Sequence, residues 1–208
     1  MKKLKGPAKI TKDLRQRLNK FPVDARPVRW YGRSKAVLRF KKEIMKQGLV
    51  IQSDRCAWCM LSVGPEGHRT AHRDHIVASS DQPKWTFLPK NLVIACEYCN
   101  GLAVKKDSKT VSVLESNYDR CEFSIVHPYL DNPSLHIKFE CDAGETEIVI
   151  KSITQKGEDT ITMMKLDNPQ MTMLRAKEYI FDKHRKKLNP QYQALFVDAL
   201  KSMGISAT

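Results

Sequence analysis

Long apolar runs are missing from this sequence. No stretch approaches the about 18 apolar residues that a membrane-spanning helix needs. The Lys-rich start, MKKLKGPAKITK, has no apolar run after it and so lacks the pattern of a secretory signal peptide. These absences predict a protein that does not enter a membrane and that resides in the cytoplasm.

Acidic residues are scarce in the first quarter of the chain. Residues 1–55 hold 17 Lys and Arg against 4 Asp and Glu, whereas residues 56–208 hold 19 against 19, so the net charge of +13 arises in the first segment. Such an excess indicates either a solvated surface or an electrostatic arm for a polyanion. We favour the arm.

An amphipathic helix is predicted from Lys35 to Gly48. Val37, Phe40 and Ile44 recur at helical spacing, and a glycine typically follows the last helical turn. Opposite this apolar stripe lies a cationic one that can follow a row of phosphates, formed by Lys35, Arg39, Lys42 and Lys46. Just before the helix, Trp30 and Tyr31 either stack on bases or anchor the arm to the core, and we favour the anchor.

Disulfide bonds are not expected in a reducing compartment, so the six cysteines are interpreted by their spacing. Four of them form two CxxC pairs separated by 36 residues, Cys56 with Cys59 and Cys96 with Cys99. Two such pairs predict a tetrahedral zinc site. A thioredoxin-like redox pair is the competing interpretation, which the missing βαβ pattern disfavours. Cys121 and Cys141 match neither pair and are expected to be ordinary semi-buried residues.

The segment between the two pairs carries a different type of side chain. TAHRDHIVASS brings His72, Asp74 and His75 together, and Asn91 and Asn100 follow. Oxygen and nitrogen groups of this kind suit a hard divalent ion and a general base, which thiolates do not. The segment therefore predicts two separate sites, a zinc site that stabilises a small unit and a reaction centre.

The phrases CAWC, DHIVASS and NLVIACEYCN, in this order, resemble the HNH endonuclease family and its ββα-metal fold. The resemblance covers about residues 51–106. It implies that Asp74 and Asn100 hold a catalytic divalent metal, that His75 is the general base, and that Asn91 mainly braces the loop between the strands and the helix. His72 has no assured counterpart and is either a phosphate contact or a structural histidine.

The resemblance also implies a reaction. His75 would take a proton from water aligned behind the phosphorus, while Mg²⁺, or Mn²⁺ or Ni²⁺ in its place, stabilises the developing charge. The products would be 5′-phosphate and 3′-hydroxyl ends. Since adjacent strand residues face opposite ways, we expect strong twist or a bulge at Asp74 and His75.

Two positions depart from the family pattern. Where the family often has a lysine three residues after the last Asn, this chain has Ala103, and its lysines come later, at Lys105 and Lys106. We assign these two lysines to nucleic-acid binding. Ala78 replaces a proline common in the loop, which should affect the loop more than the reaction.

The last part of the chain predicts a β-meander and two helices. SLHIKFE, TEIVIK and TITMMKL read as the three strands, and Asn168-Pro169 and Asn189-Pro190 each pair an N-cap residue with a helix-starting proline. The phrases HPYLDNPSLHIKFE and GEDTITMMKLDNPQMTMLR are similar to the tail of some bacterial anti-phage HNH nucleases, the Septu-type and retron-associated ones. That similarity implies a regulatory partner ATPase, whereas simple core packing would need no partner.

The sequence therefore predicts an α+β chain in three parts: a basic N-terminal helical arm (1–50), an HNH ββα-metal core with a four-Cys zinc (51–106), and a β-meander with C-terminal helices (107–208). The predicted function is metal-dependent hydrolysis of DNA. RNA or a structured junction is the alternative substrate. The alternative from another class is a zinc-stabilised nucleic-acid binding module without catalysis.

Overall fold

The computed structural model describes residues 1–64, 69–101, 104, 109–140, 148–185 and 189–202. Its α-helices are α1 (Lys12–Asn19), α2 (Arg26–Trp30), α3 (Lys35–Gln52), α4 (Gln155–Met164), α5 (Pro169–Arg185) and α6 (Pro190–Ser202). Its strands are β1 (Ala71–His75), β2 (Leu92–Cys96), β3 (Val111–Val113), β4 (Glu122–Phe123), β5 (Ile137–Glu140) and β6 (Val149–Ser152). The fold is α+β, as predicted. Ala103, Lys105, Lys106 and Cys141 lie outside the described residues.

Strands β1 and β2 form the antiparallel pair on which the candidate site is built. The register runs from Ala71 opposite Cys96 to His75 opposite Leu92, with five consecutive pairs and no shift. Every residue of β2 is buried, so this strand is covered on both faces. Of the two expectations for Asp74 and His75, the bulge is wrong, because the ladder remains regular through both residues. Strong twist stays a prediction.

Helix α3 packs on this strand pair with the apolar face that the sequence predicted. Val37, Phe40 and Ile44 are buried, whereas the four cations of the opposite stripe are exposed. The predicted end at Gly48 is wrong, because the helix continues to Gln52 and ends at Ser53 in the left-handed region. Gly48 is instead a contact point, since a Cβ there would lie 2.6 Å from Ile94 Cγ1.

The N-terminal segment contributes directly to the apolar core. Leu14 and Leu18 of α1 belong to the same buried cluster as α3 and β2. Trp30 is buried, which confirms its role as an anchor. The same expectation for Tyr31 is wrong, because its side chain is 81% exposed.

The predicted meander is a two-stranded pair rather than a three-stranded one. β5 pairs antiparallel with β6, but TITMMKL is wrong as a strand, because residues 160–164 belong to α4. Thr154 caps this helix by accepting a hydrogen bond from Gly157 N, and Ile161 and Met164 bury one face of it. A short pair that the sequence did not predict, β3 with β4, precedes it.

The two C-terminal helices begin where the Asn-Pro pairs predicted. Asn168 Oδ1 accepts a hydrogen bond from Gln170 N, and Asn189 Oδ1 accepts one from Tyr192 N. Helix α5 also contacts the segment that follows the first cysteine pair, because Glu178 accepts hydrogen bonds from the backbone and hydroxyl of Ser62.

Candidate functional site

Four cysteines meet in a cluster that is able to hold a metal ion. The Sγ atoms of Cys56, Cys59, Cys96 and Cys99 all lie within 4.8 Å of one another, and all four side chains are buried. Cys59 Sγ and Cys96 Sγ are 3.8 Å apart. Zn–S bonds of about 2.3 Å in a regular tetrahedron place two sulfurs about 3.8 Å apart, so the thiols fit a zinc ion.

Backbone hydrogen bonds shape both turns of the cluster. In the first, Met60 N donates to Cys56 O and Cys56 N donates to the carbonyl of Leu61. In the second, Asn100 N donates to Cys96 O, and Cys99 N points at Cys96 Sγ at 3.5 Å. Because β2 ends at Cys96, this strand positions the second cysteine turn next to the first.

The close approach of the thiols perturbs their ionisation. Hydrogen bonds from Cys56, Cys59 and Cys99 hold the pKa of the Cys96 thiol far below its ordinary value. The hydrogen bond with Cys56 is the largest of the effects that raise the pKa of the Cys59 thiol, and the same is true of the Cys99 thiol. An ion that binds all four sulfurs must displace the protons that the thiols carry.

A hydrogen bond connects Asp74 to the first cysteine pair. Trp58, between the two cysteines of the first pair, is fully buried and its Nε1 donates to Asp74 Oδ2 at 2.8 Å. Asp74 itself is only 4% exposed. The first CxxC pair thus fixes the orientation of a carboxylate on the neighbouring strand.

His75 is held by a different set of contacts. Its Nε2 lies 3.0 Å from the carbonyl oxygen of Thr86, and its ring meets the Trp30 ring edge-on at 4.5 Å between centroids. A carbonyl oxygen only accepts, so Nε2 carries the proton. In the neutral ring Nδ1 is then the basic nitrogen.

Asp74 and His75 therefore contact opposite sides of β1. Asp74 contacts the cysteine cluster through Trp58, while His75 contacts Trp30, which packs against Phe40 of α3. The alternation of a regular strand accounts for this division. The two residues are adjacent in sequence, but separate parts of the chain hold them.

Asn91 is fully buried between the strands and the loop that joins them. Its Oδ1 accepts from Val77 N at 2.8 Å, and its Nδ2 donates to the carbonyls of Val77 and Trp85. These bonds tie both ends of the loop together. Its backbone carbonyl adds a bond from Ile76 N, directly after β1.

A buried relay that the sequence did not predict holds the Asn91 amide in this orientation. Backbone N–H groups of Tyr129 and Leu130 donate to His127 Nδ1, so His127 Nε2 carries the proton and donates to Tyr118. The Tyr118 hydroxyl then donates to Asn91 Oδ1 at 3.0 Å. His127 stands in the sequence phrase HPY, but Asn91, the residue that the relay reaches, lies 36 residues upstream, since 127 minus 91 is 36.

The remaining predicted residues lie around this centre. Asn100 is half-buried directly after the second cysteine pair, and His72 is half-buried on β1, two residues before Asp74. The exposed cationic stripe of α3 faces away from the strand pair, so it does not surround Asp74 or His75.

Two cations closer to His75 were missed by the sequence interpretation. Lys41 Nζ lies 4.7 Å from the centre of the Trp30 ring, and Arg73 Nε donates to the Lys41 carbonyl. Burial, and then the charge of Arg73, lower the pKa of Lys41. Arg73 lies in the quoted motif, but only the packing of α3 on β1 shows its neighbour.

Among the residues that the structure describes, no helix has both the length and the apolarity to cross a membrane. No protein-family model matches the sequence, and no curated protein matches it.

Proposed function

We propose that this protein is a metal-dependent endonuclease of the HNH type, with a structural zinc in the four-cysteine cluster. The observation that carries the proposal is the hydrogen bond from His75 to Thr86. It presents an imidazole whose other nitrogen is basic, directly after an aspartate that the cysteine cluster orients. A module that only binds nucleic acid has no need of this arrangement.

In this proposal His75 is the general base. Its Nδ1 takes a proton from a water molecule whose oxygen forms the new bond to phosphorus, and the bond from phosphorus to the 3′ oxygen breaks. The 3′ oxygen takes a proton from solvent, which leaves 5′-phosphate and 3′-hydroxyl ends. Thr86 prevents the opposite tautomer, and Trp30 fixes the plane of the ring.

Asp74 and Asn100 would hold the divalent ion. One carboxylate and one amide oxygen are ligands that Mg²⁺ accepts while it retains several waters, and Mn²⁺ or Ni²⁺ can replace it. When bound, the ion supplies a positive charge that stabilises the extra negative charge on the phosphate. Asn91 acts indirectly, because its bonds to Val77 and Trp85 hold the loop behind His75.

DNA is the proposed substrate, and the basic first quarter of the chain is the proposed contact. The exposed stripe of Lys35, Arg39, Lys42 and Lys46 would contact phosphates away from the cut, and Lys105 and Lys106 would contact them closer to it. The similarity of the later phrases to anti-phage nucleases extends the proposal to a defensive role and a regulatory ATPase.

A plasmid-nicking assay tests the proposal. The purified chain should nick or linearise plasmid with Mg²⁺ or Mn²⁺, and His75→Ala should reduce cutting by about 100-fold or more, the usual contribution of a general base. His136→Ala is the matched control, because the His136 ring contacts Thr154 at the start of α4 and not a residue of the proposed reaction centre. The assay is run with and without the product of any adjacent gene.

Circular dichroism and zinc content show whether each variant is folded. If folded His75→Ala cuts as fast as the wild type, the proposed base is wrong. If the wild type binds DNA but does not cut it under any of these conditions, the binding module is the better description.

The binding module is supported by one observation of its own. All four cations of the α3 stripe are exposed, on the helix face opposite the buried one, and from there they would contact phosphates away from Asp74. Replacing all four by Ala should weaken DNA binding. The slope of log K against log salt should become shallower by about 0.9 for each phosphate that the variant no longer neutralises.

A further inference from the structure

Tyr31 is the most exposed large apolar side chain among the described residues. Its exposed fraction is 81%, and that of Val28, three residues earlier on α2, is 77%. Within the part of the chain that the structure describes, the Tyr31 ring contacts no other ring or cation, and its hydroxyl forms no hydrogen bond. Single exposed apolar side chains are common, so the surroundings of Tyr31 decide whether it has a role.

The chain around Tyr31 is basic without interruption. Residues 25–42 contain seven Lys and Arg and no Asp or Glu. Arg29 and Arg33, on either side of Tyr31 in sequence, are both exposed, and neither forms an ion pair with a described residue. We call Val28, Arg29, Tyr31 and Arg33 the α2 surface. It combines an exposed aromatic ring with cations that no described carboxylate pairs with.

Hydrogen bonds hold the α2 surface in a fixed shape. Tyr31 N donates to the carbonyl of Val28 at 3.1 Å, which closes the end of the helix. Arg26 Nη1 donates to the carbonyl of Lys84 at 3.2 Å, which ties α2 to the loop between β1 and β2. The backbone that presents the Tyr31 ring is therefore ordered before a ligand arrives, and this lowers the entropy cost of binding.

The α2 surface adjoins the proposed reaction centre. Trp30, the residue before Tyr31, meets the His75 ring at 4.5 Å between centroids, and Lys41 Nζ lies 4.7 Å from the centre of the Trp30 ring. Neither Lys41 nor Arg73, two residues before His75 on β1, forms an ion pair with a described residue. Positive charge therefore continues from α2 to the His75 side of β1.

These features favour an unpaired nucleic-acid strand as the ligand. Proteins that bind single strands combine an aromatic ring, on which a base stacks, with cations that contact the phosphates. In an intact duplex the neighbouring base pairs already cover both faces of each base, so no base face is available to the ring. A stable protein interface needs about 20–30 residues a side, far more than the two apolar side chains of this surface.

We propose that the α2 surface binds an unpaired nucleic-acid strand, with a base stacked on Tyr31 and the neighbouring phosphates on Arg29 and Arg33. The strand is DNA or RNA, which share these groups. Binding at this surface does not depend on the nuclease activity. Its consequence for cutting, the choice of an unpaired region as substrate, rests on the proposed function.

Fluorescence anisotropy with labelled oligonucleotides tests the α2 surface. The full chain is titrated without added divalent metal, and a gel checks that the strand stays intact. Tyr31→Ala should weaken the binding of a single strand by about tenfold or more, the usual loss when a stacking aromatic ring is removed. Binding of a blunt duplex of the same sequence should weaken by less than about twofold. Deoxy- and ribo-oligonucleotides titrated side by side identify which strand binds more tightly.

Two further tyrosine variants serve as controls. Tyr31→Phe keeps the ring and should stay within about twofold of the wild type. Tyr192→Ala removes a tyrosine that is 59% exposed on α6, and it should also leave the affinity within about twofold. Because both tyrosines are exposed, all three variants are expected to fold, which circular dichroism checks.

The two arginines provide a second measurement. Arg29→Ala with Arg33→Ala should make the slope of log K against log salt shallower by about 0.7 for each phosphate that a single strand no longer contacts. Lys109→Ala with Arg120→Ala changes the net charge equally at exposed positions outside the α2 surface and should leave the slope unchanged. An unchanged slope in the double arginine variant would contradict the phosphate contacts.

Three results overturn the stacking role of Tyr31. They are single-strand binding by Tyr31→Ala as tight as that of the wild type, equal losses for the single strand and the duplex, and an equal loss in Tyr192→Ala. The first result would make an acidic partner protein the better occupant of the surface. None of them affects the nicking assay, which depends on His75. Conversely, a loss confined to the single strand stands even if no plasmid is cut.

Discussion

The two faces of β1 are supported by different physical interactions. On the Asp74 side, support comes from the indole of Trp58, which lies between two cysteines of a four-thiol cluster that is able to hold a metal ion. On the His75 face, support comes from aromatic packing, in which Trp30 lies between the histidine and Phe40 of α3. Asp74 and His75 are adjacent in sequence, yet the parts of the chain that hold them are expected to lose their structure under different conditions.

Removal of the zinc proposed for the cysteine cluster should destabilise the Asp74 side of β1 most strongly. A chelator that extracts zinc should lower the free energy of unfolding by about 4 kcal/mol or more, since four crowded buried thiols replace a metal shell. Thermal unfolding followed by circular dichroism, with zinc measured in parallel, gives the result. Cys121→Ser should keep about one zinc per chain, because Cys121 lies outside the cluster. An unfolding midpoint that ignores the chelator would contradict the cluster's structural role.

Trp58→Phe should weaken the Asp74 side without removing the metal. The variant loses the hydrogen bond to Asp74 Oδ2, and a bond to a charged group contributes about 2 kcal/mol. Trp85→Phe is the matched control, because it removes the same atoms from a buried indole that packs on Tyr118. Denaturant unfolding should show the larger loss for Trp58→Phe, with zinc retained in both. Equal losses would mean that the bond to Asp74 contributes nothing.

Gly48→Ala should disturb the packing of α3 that supports the His75 face of β1. The added methyl would lie 2.6 Å from Ile94 Cγ1 in the buried core, which forces α3 away from β2. The expected loss is about 1–2 kcal/mol, because the overpacking outweighs the about 1 kcal/mol that alanine gains over glycine within a helix. Gly6→Ala meets no atom within 4 Å and should stay within about 0.5 kcal/mol of the wild type. A more stable Gly48→Ala variant would show that the helix and strand have room to adjust.

Acid should destabilise the buried relay of His127 and Tyr118 that orients Asn91. Burial lowers the pKa of His127 from its ordinary value near 6.5 to about 3. The unfolded chain binds a proton there between about pH 6.5 and pH 3 and the folded chain does not. His127 therefore contributes no pH dependence above about pH 6.5, and below it the stability falls by about 1 kcal/mol per pH unit.

Denaturant unfolding at several pH values measures this slope. His127→Gln should flatten it, although the variant starts from a lower stability because the bond to Tyr118 changes. His136→Gln, which removes a histidine outside the core, should leave the slope as it is. A slope that persists in His127→Gln would assign the acid sensitivity to other groups.

Local patterns were sufficient to predict several parts of this structure. The two CxxC spacings predicted the cysteine cluster, the stripe of Val37, Phe40 and Ile44 predicted α3, and the Asn-Pro pairs predicted the starts of α5 and α6. In each case the residues that decide the structure are within a few positions of one another, or are brought together by a metal-binding geometry that tolerates few alternatives.

The wrong predictions arose where a distant contact decides between two local patterns. In TITMMKL the alternation of Thr and apolar residues is typical of a strand, but the cap at Thr154 and the packing of Gly157 against His136 O select the helix. Gly48 has the sequence signal of a helix end, yet its missing side chain is required by Ile94, 46 positions away, since 94 minus 48 is 46. The partners of Asp74 and His75 could not be predicted for the same reason.

The positions of the three tryptophans have a practical consequence. The Trp58 indole contacts Asp74 and the Trp30 indole contacts His75. The Trp85 indole packs on Tyr118, whose hydroxyl donates to Asn91, so each indole reports on a different residue of the proposed reaction centre. Single-tryptophan variants would therefore turn the protein's own fluorescence into three separate optical reporters. Their emission during metal binding, chelation or acidification would show which of the three residues loses its surroundings first.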